Sequence, residues 1–505
     1  MRVAGKQRCV GWGGMKSVGT MPRILISNID NESMMADERA LTPDFCRSSA
    51  ITAGRMAWFA EAGDIVVLPR DLSPQMKVYI ARTLGYEPGS VTYLTPDWGN
   101  RHPRPIRAHE LLHTGLVKRM ARLIGDPDNW TLYPYCYERS TQQFAERLGL
   151  DGERAVRPFV KQGGAELLND KRVFRSVAAG RGVSIAEGAV CATQWQLEEC
   201  IASMIDQTGA VIVKQDRHSG GFGNLIVSRT EATGALGAPE VLVARDEAQV
   251  SDQARIAWTR LAYAERAPLI VEVYYSVSAC VTAEFKVDAA ANAVRFLNCG
   301  EVRQAPILSG LIMPSAVPPY QLASFIADAA ELARLCCDLG YDGLVNIDGI
   351  VTTDGTVIVN EFNGRIGGCS HIHHILERSA GPRYGDGLVV VSHSRKIAMS
   401  VDQAFGILEE RKLGFDRARG FGIIVTGEDA SSSGHLEYLS IAPSREQAMQ
   451  LEAEFEGLLG VDRSAQGEAG IEHLAKILSH FPQVRRTDAE PTVRDGQRHG
   501  IAHKP

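Results

Sequence analysis

Two carboxylates and an amide, Asp348, Glu361 and Asn363, stand close together in the stretch LVNIDGIVTTDGTVIVNEFNGRIGGCSHIHH, residues 344–374, with Arg365 two residues beyond Asn363. Two apolar runs, Leu344 to Val351 and Thr356 to Val359, flank the tetrad TTDG, and Asp-Gly between β-formers is a strong hairpin signal. Asp348 interrupts the first run, while Glu361 and Asn363 close the second at i, i+2 spacing, which puts both on one face of a strand. An Asp inside an apolar strand is costly unless something pairs it. Two carboxylates and an amide oxygen converging there suit Mg2+, which takes few protein carboxylates and completes its octahedron with phosphate oxygens and water. Arg365 is then placed to fork onto a phosphoryl group. The competing reading is a hairpin with solvated acids on its exposed face.

These groups need elements to hold them. From Leu322 to Leu339 apolar residues recur at helical spacing, which predicts an amphipathic helix supporting the hairpin. NDKRVFRSVAAGRGV predicts a helix capped by Asn169 or Asp170, with Val173, Phe174 and Val177 as its stripe and Lys171 in its first turn. GAVIVKQDRHSGGFGNLIV reads as strand, Gly-rich turn, strand: Val211 to Val213 lead into Lys214, and SGGFGN supplies Ser219, Gly220, Gly221 and Gly223. Glycine lets backbone N–H groups approach phosphate oxygens closely, while lysines neutralise the charge. PLIVEVYYSVSACVTAEFKVD (268–288) reads as strand, and FLNCGEVRQ (296–304) adds another that carries Arg303. Upstream, RILISNID and DIVVLP bracket the helical SAITAGRMAWFAEAG, a βαβ pattern that calls for a parallel sheet. No GxGxxG follows its first strand, so it is not a dinucleotide fingerprint. The polar loop with Asn28, Asp30, Asn31 and Glu32 is a candidate ligand contact.

In this order the motifs resemble those of the ATP-grasp carboxylate-amine ligases, whose D…ExNxR pattern matches Asp348, Glu361, Asn363 and Arg365. NEFNGRIGG followed by CSHIHH is similar to the pheganomycin-type peptide ligases. The resemblance implies an α/β chain: an ATP-grasp fold of two α+β lobes (116–380), preceded by a small parallel α/β pre-ATP-grasp domain (23–115) and followed by a small α/β C-terminal appendage (381–481). It implies ATP gripped by Lys171, Lys214 and the turn Ser219, Gly220, Gly221, Gly223, with Glu272, Val273 and Tyr274 at the adenine edge, and Mg2+ on Asp348, Glu361 and Asn363. Many relatives carry an arginine two residues before the first metal carboxylate, where this chain has Asn346, so Arg365 or Arg303 is left to face the acyl phosphate, Arg365 being preferred. Ser370 is expected to cap a helix carrying His371 and His374, with Ser370 and His371 touching substrate. The implied reaction activates a carboxylate, that of a nonproteinogenic amino acid, as an acyl phosphate and joins it to the amino group of a peptide, as in peptide antibiotic biosynthesis. The alternatives are an ATP-grasp ligase of other metabolites, of dipeptide or purine type, and an ATP-binding regulatory protein without turnover.

At 505 residues the chain exceeds a single core and fits about three domains. A net charge of -6 argues against a nucleic-acid partner, and no run of about 18 apolar residues offers a membrane span. Homodimerisation is left open. The ten cysteines lack metal-ligand spacing and read as free thiols of a reducing cytoplasm. His371, His373 and His374 lack the partners of a transition-metal site. The basic, Gly-rich residues 1–22 have no apolar core and are not a signal peptide. They and the charged residues 482–505 are expected to be disordered.

Overall fold

Short aliphatic runs covered on both faces build the first sheet. The computed structural model describes residues 21–461 apart from Ala36, Asn100, 151–156, Ser219, 232–234, 264–267, 305–307, Ala398 and 430–433. In it β1 (Arg23–Ile26), β2 (Ile65–Val67), β3 (Thr92–Leu94) and β4 (Thr131–Pro134) run in the order β3-β2-β1-β4, all parallel. The expected βαβ unit is β1, helix Pro43–Gly54 and β2. Helices Thr114–Ile124 and Arg139–Leu148, which the sequence reading gave to the next domain, instead pack Met120, Phe144 and Leu148 into this first core. The reason is β4: it lies between those helices in the chain and pairs with β1, which keeps both helices beside the sheet.

The second sheet holds β5 (Gly188–Cys191), β6 (Ala210–Gln215), β7 (Asn224–Ser228), β8 (Val241–Val243) and β9 (Leu269–Val273) in the order β5-β9-β6-β7-β8. Helices Gln194–Thr208 and Glu247–Leu261 cover one face with Leu197, Ile201, Val250 and Ala254. The third sheet holds β10 (Val277–Asp288), β11 (Ala293–Gln304), β12 (Leu308–Met313), β13 (Gly343–Thr352), β14 (Val357–Asn363), β15 (Val389–Lys396), β16 (Gly422–Asp429) and β17 (His435–Ala442). Its order is β14-β13-β10-β11-β12-β15-β17-β16. The stretch 268–288 is thus broken between Val273 and Val277, and its two halves join different sheets. This crossing sets the two sheets on either side of a cleft.

Beneath the third sheet, helix Pro319–Asp338 buries Phe325, Ala329, Leu332 and Cys336 against the hairpin, as its periodicity predicts. Leu339 falls off the stripe, 45% exposed at the helix end. Residues after the hairpin continue the same sheet, because β15 pairs with β12 through Ile312 and Val391. They also close back on the first layer: Trp58 Nε1 donates to Thr426 O at 2.7 Å, and Arg55 grips Glu437 through Nε at 2.8 Å and Nη2 at 2.6 Å. The ends expected to be disordered lie outside the described residues, except Met21 and Pro22. Among the described residues no helix is long and apolar enough to cross a membrane.

Candidate nucleotide and metal site

The hairpin forms where Asp-Gly predicts it. Thr352 N donates to Thr356 O at 2.9 Å, and Gly355 takes φ +91°, a left-handed value that favours glycine. β13 and β14 pair so that Asp348 lies opposite Glu361 and Asn346 opposite Asn363. The second strand runs on to Asn363, which carries the metal-type residues within the ladder. Burial and the facing Glu361 push the Asp348 carboxyl up, while a hydrogen bond with Thr282, its neighbour on β10, acts the other way. Burial also disfavours the Glu361 charge, but Lys171 and Arg365 outweigh it and hold that carboxylate low. Asn363 bridges the pair, Nδ2 lying 3.4 Å from Asp348 Oδ2 and 3.2 Å from Glu361 Oε1, while its Oδ1 accepts from Arg365 Nη2 at 2.8 Å. Two apposed carboxylates that repel each other, with an amide between them, fit a hard divalent cation once the Asn363 oxygen turns inward. Among the described residues no three His, Cys, Asp or Glu side chains converge as a metal site. Two carboxylates and an amide make a ligand set compatible with Mg2+ when phosphate oxygens complete its shell.

Lys171 reaches this pair from another element. Asp170 caps helix Lys171–Gly180 by accepting from Arg172 N at 2.8 Å, and Lys171 Nζ then sits 3.1 Å from Glu361 Oε2 and 3.0 Å from His218 O. Lys214, on β6, is tied to the next strand: its Nζ is 2.5 Å from Glu272 Oε2, and Arg175 Nη1 holds Glu272 Oε1 at 2.6 Å. Sequence reading missed Arg175; an arginine on the buried face of the Lys171 helix was the available signal. Gly220 and Gly221 take φ +66° and +81°, and a Cβ on Gly223 would lie 2.5 Å from His218 Cβ. Ser219 lies outside the described residues. The amides of Val273 and Tyr274, placed by sequence at the adenine edge, already donate to Glu187 O and Ala210 O. The amide of Tyr275, next along and lining the cleft, has no partner among the described residues.

Arg365 lines the same cleft, and its buried Nε has no acceptor among the described residues. Arg303 is not brought there. Its neighbours Val302 and Gln304 line the cleft, so strand alternation turns Arg303 to the far face of β11, where Nη1 meets Glu452 at 2.6 Å. Ser370 is not the cap expected of it: Cys369 holds the N-cap place of helix Ser370–Ser379, and Ser370 opens the helix, 3% exposed. Its hydroxyl accepts from Gly367 N at 2.8 Å and donates to Glu284. Glu284 is a second residue that sequence reading missed, although an acid inside the strand run TAEFKVD marks it. His371 does line the cleft, and burial, aided by the Arg55 charge, holds its ring neutral, with Nδ1 unpartnered among the described residues. His373 Nδ1 meets the Tyr384 hydroxyl at 2.8 Å, and His374 stacks beside Phe59, so the three histidines do not converge.

The Pre ATP-grasp domain model matches residues 53–150, and the PGM1 C-terminal domain model matches residues 403–454. No curated protein matches the chain by sequence. Among solved structures, the biotin carboxylase domain of the Hydrogenobacter thermophilus 2-oxoglutarate carboxylase, determined with MgADP, ADP and bicarbonate, superposes with a TM-score of 0.52 at 15% identity, over 92% of this chain and 100% of that one. Campylobacter jejuni biotin carboxylase, determined in a β,γ-ATP complex, gives 0.52 at 12% identity, over 91% and 95%. At such identities the likeness is one of fold: this chain has the ATP-grasp fold, with a pre-ATP-grasp domain before it and a PGM1 C-terminal domain after it.

Proposed function

We propose that the chain is an ATP-dependent carboxylate-amine ligase. The observation that carries the reading is one cleft, of about 530 Å3, that gathers Asp348, Glu361, Asn363, Arg365, Lys171, Lys214 and the Gly220–Gly221 turn. The Tyr275 amide at the end of β9 would meet the adenine edge of ATP, and the Gly-rich turn, Lys214 and Lys171 would hold its phosphates. Asp348, Glu361 and Asn363 would hold Mg2+, which would supply charge neutralisation at the phosphate oxygens. A carboxylate oxygen of the acid substrate attacks the γ-phosphorus, ADP leaves, and an acyl phosphate remains. The amine nitrogen then attacks the acyl carbon, gives up its proton and expels phosphate. Lys171 and Arg365 offset the charge on the transferring phosphoryl group, a positional and electrostatic contribution. His371 and the turn before it form the wall the acyl group rests against.

The narrower reading is peptide-bond formation between an amino-acid-like carboxylate, nonproteinogenic in type, and the amino group of a peptide. It is supported by the likeness of NEFNGRIGG and CSHIHH to the pheganomycin-type ligases. A cytoplasmic setting is supported by free cysteines throughout the described residues. The test is ADP release by the purified protein with Mg2+, ATP and pooled amino acids, with and without pooled peptides. Acid-dependent release, with a product of the summed mass less water, is the expected result; no release with any pool refutes the assignment.

A further inference from the structure

Asn346 stands on β13 two residues before Asp348, 8% exposed, and lines the cleft. Its Nδ2 faces Arg365 O at 3.2 Å and Glu284 Oε1 at 3.5 Å. Both of those atoms only accept, so the amide has one orientation that satisfies them. Oδ1 is then the free end, with no donor among the described residues. Glu284 cannot turn away to release it. It is 3% exposed, lies opposite Asn346 on β10, and is held besides by Asn298 Nδ2 at 2.9 Å and by the Ser370 hydroxyl. Gly367 packs closely against the Asn346 amide, where a Cβ would lie 2.3 Å from Oδ1 and 2.6 Å from Nδ2.

We infer that Asn346 Oδ1 is a specificity-determining acceptor that receives an N–H hydrogen bond from the amine substrate, with Glu284 as the positioning residue that fixes its orientation. The inference rests on the ligase reading and deepens it by assigning the amine's place. A carbonyl oxygen at this point repels an acyl phosphate and complements a donor. Asn346 stands between Arg365, whose carbonyl accepts from its Nδ2, and Gly367, at the junction of the hairpin and the wall ending in His371. The amino-acid-like acid carries an N–H as well, and the acid-only turnover separates its contacts from those of the amine.

The test uses the full-length protein with the acid and the amine that give ADP release. Asn346→Ala is expected to raise KM for the amine about tenfold, as loss of one hydrogen bond to a nitrogen does. KM for ATP and the single-turnover ADP formed with acid alone stay as in the wild type. Glu284→Gln, which keeps the side-chain volume, moves the amine KM in the same direction because a glutamine amide lets Asn346 turn over; it carries the test should Asn346→Ala fail to fold. An unchanged amine KM in an active variant, or a change confined to ATP or to the acid-only turnover, overturns the assignment of Asn346 alone. A wild-type protein that releases no ADP with any acid overturns the ligase reading and this inference with it.

Discussion

Glu361→Gln separates metal binding from nucleotide binding. Glu361 faces Asp348 across the ladder and accepts Lys171 Nζ at 3.1 Å, with its side chain 26% exposed and that of Lys171 12% exposed. Glutamine keeps the volume and the contact with Asn363 but removes one of the two carboxylates. A charge-assisted interaction of this kind contributes about 1.5–3 kcal/mol, so half-saturation by Mg2+ should rise about 10- to 150-fold. Binding of ADP without Mg2+ should hold or tighten, because Lys171 is released from its carboxylate partner. Folding should survive: the variant loses the Lys171 attraction but also the repulsion that pushes Asp348 up. The assay is calorimetric titration of ADP at a series of Mg2+ concentrations, alongside thermal unfolding. Wild-type Mg2+ dependence in a folded variant would refute the assignment of the metal to this hairpin.

Lys214→Ala should weaken ATP binding by about 1–3 kcal/mol by calorimetry; unchanged affinity would mean that Lys214 serves only its pair with Glu272. Arg365→Ala should lower kcat far more than KM for ATP, whereas Arg303→Ala should lower the melting temperature by stranding Glu452 and leave kcat/KM alone; the reverse pattern would restore Arg303 to the site. Ser370→Ala should cost about 1–3 kcal/mol in denaturant unfolding, because it strips partners from both Gly367 N and the buried Glu284, more than the ~1 kcal/mol of a lost cap. Burial holds His374 at about 3, below its ordinary 6.5, so the unfolded chain takes up a proton there that the folded one does not, and stability must fall as pH drops below 6.5. His374→Phe, beside Phe59, should remove about 2 kcal/mol of that fall by about pH 5, and equal slopes in the two proteins would contradict it.

The amino-acid sequence by itself determined the local pieces. Side-chain alternation along a strand is a matter of neighbours, so Glu361 and Asn363 had to share a face, and Asp-Gly had to turn the chain between two β-forming runs. A cap at Asn169 or Asp170 for the helix of Lys171, the βαβ unit and the helix under the hairpin follow from equally short-range rules, and the structure puts the cap at Asp170. Tertiary structure alone decided which partner each charge meets, because that depends on strand register and on which face a neighbouring layer covers. Asp348 meets Glu361 only through the pairing of β13 with β14. Glu272 is bound by both Lys214 and Arg175 because β6 lies beside β9 and the Lys171 helix delivers Arg175 to the same carboxylate. Arg303 and Arg365 were alike as basic residues near strand ends. One meets Glu452 on helix Arg445–Leu459, which packs on β15 and β17, and the other was left facing the cleft. Ser370 looked like a cap from its place after two glycines, yet the long-range arrival of Glu284 from β10 made it a buried link between sheet and helix.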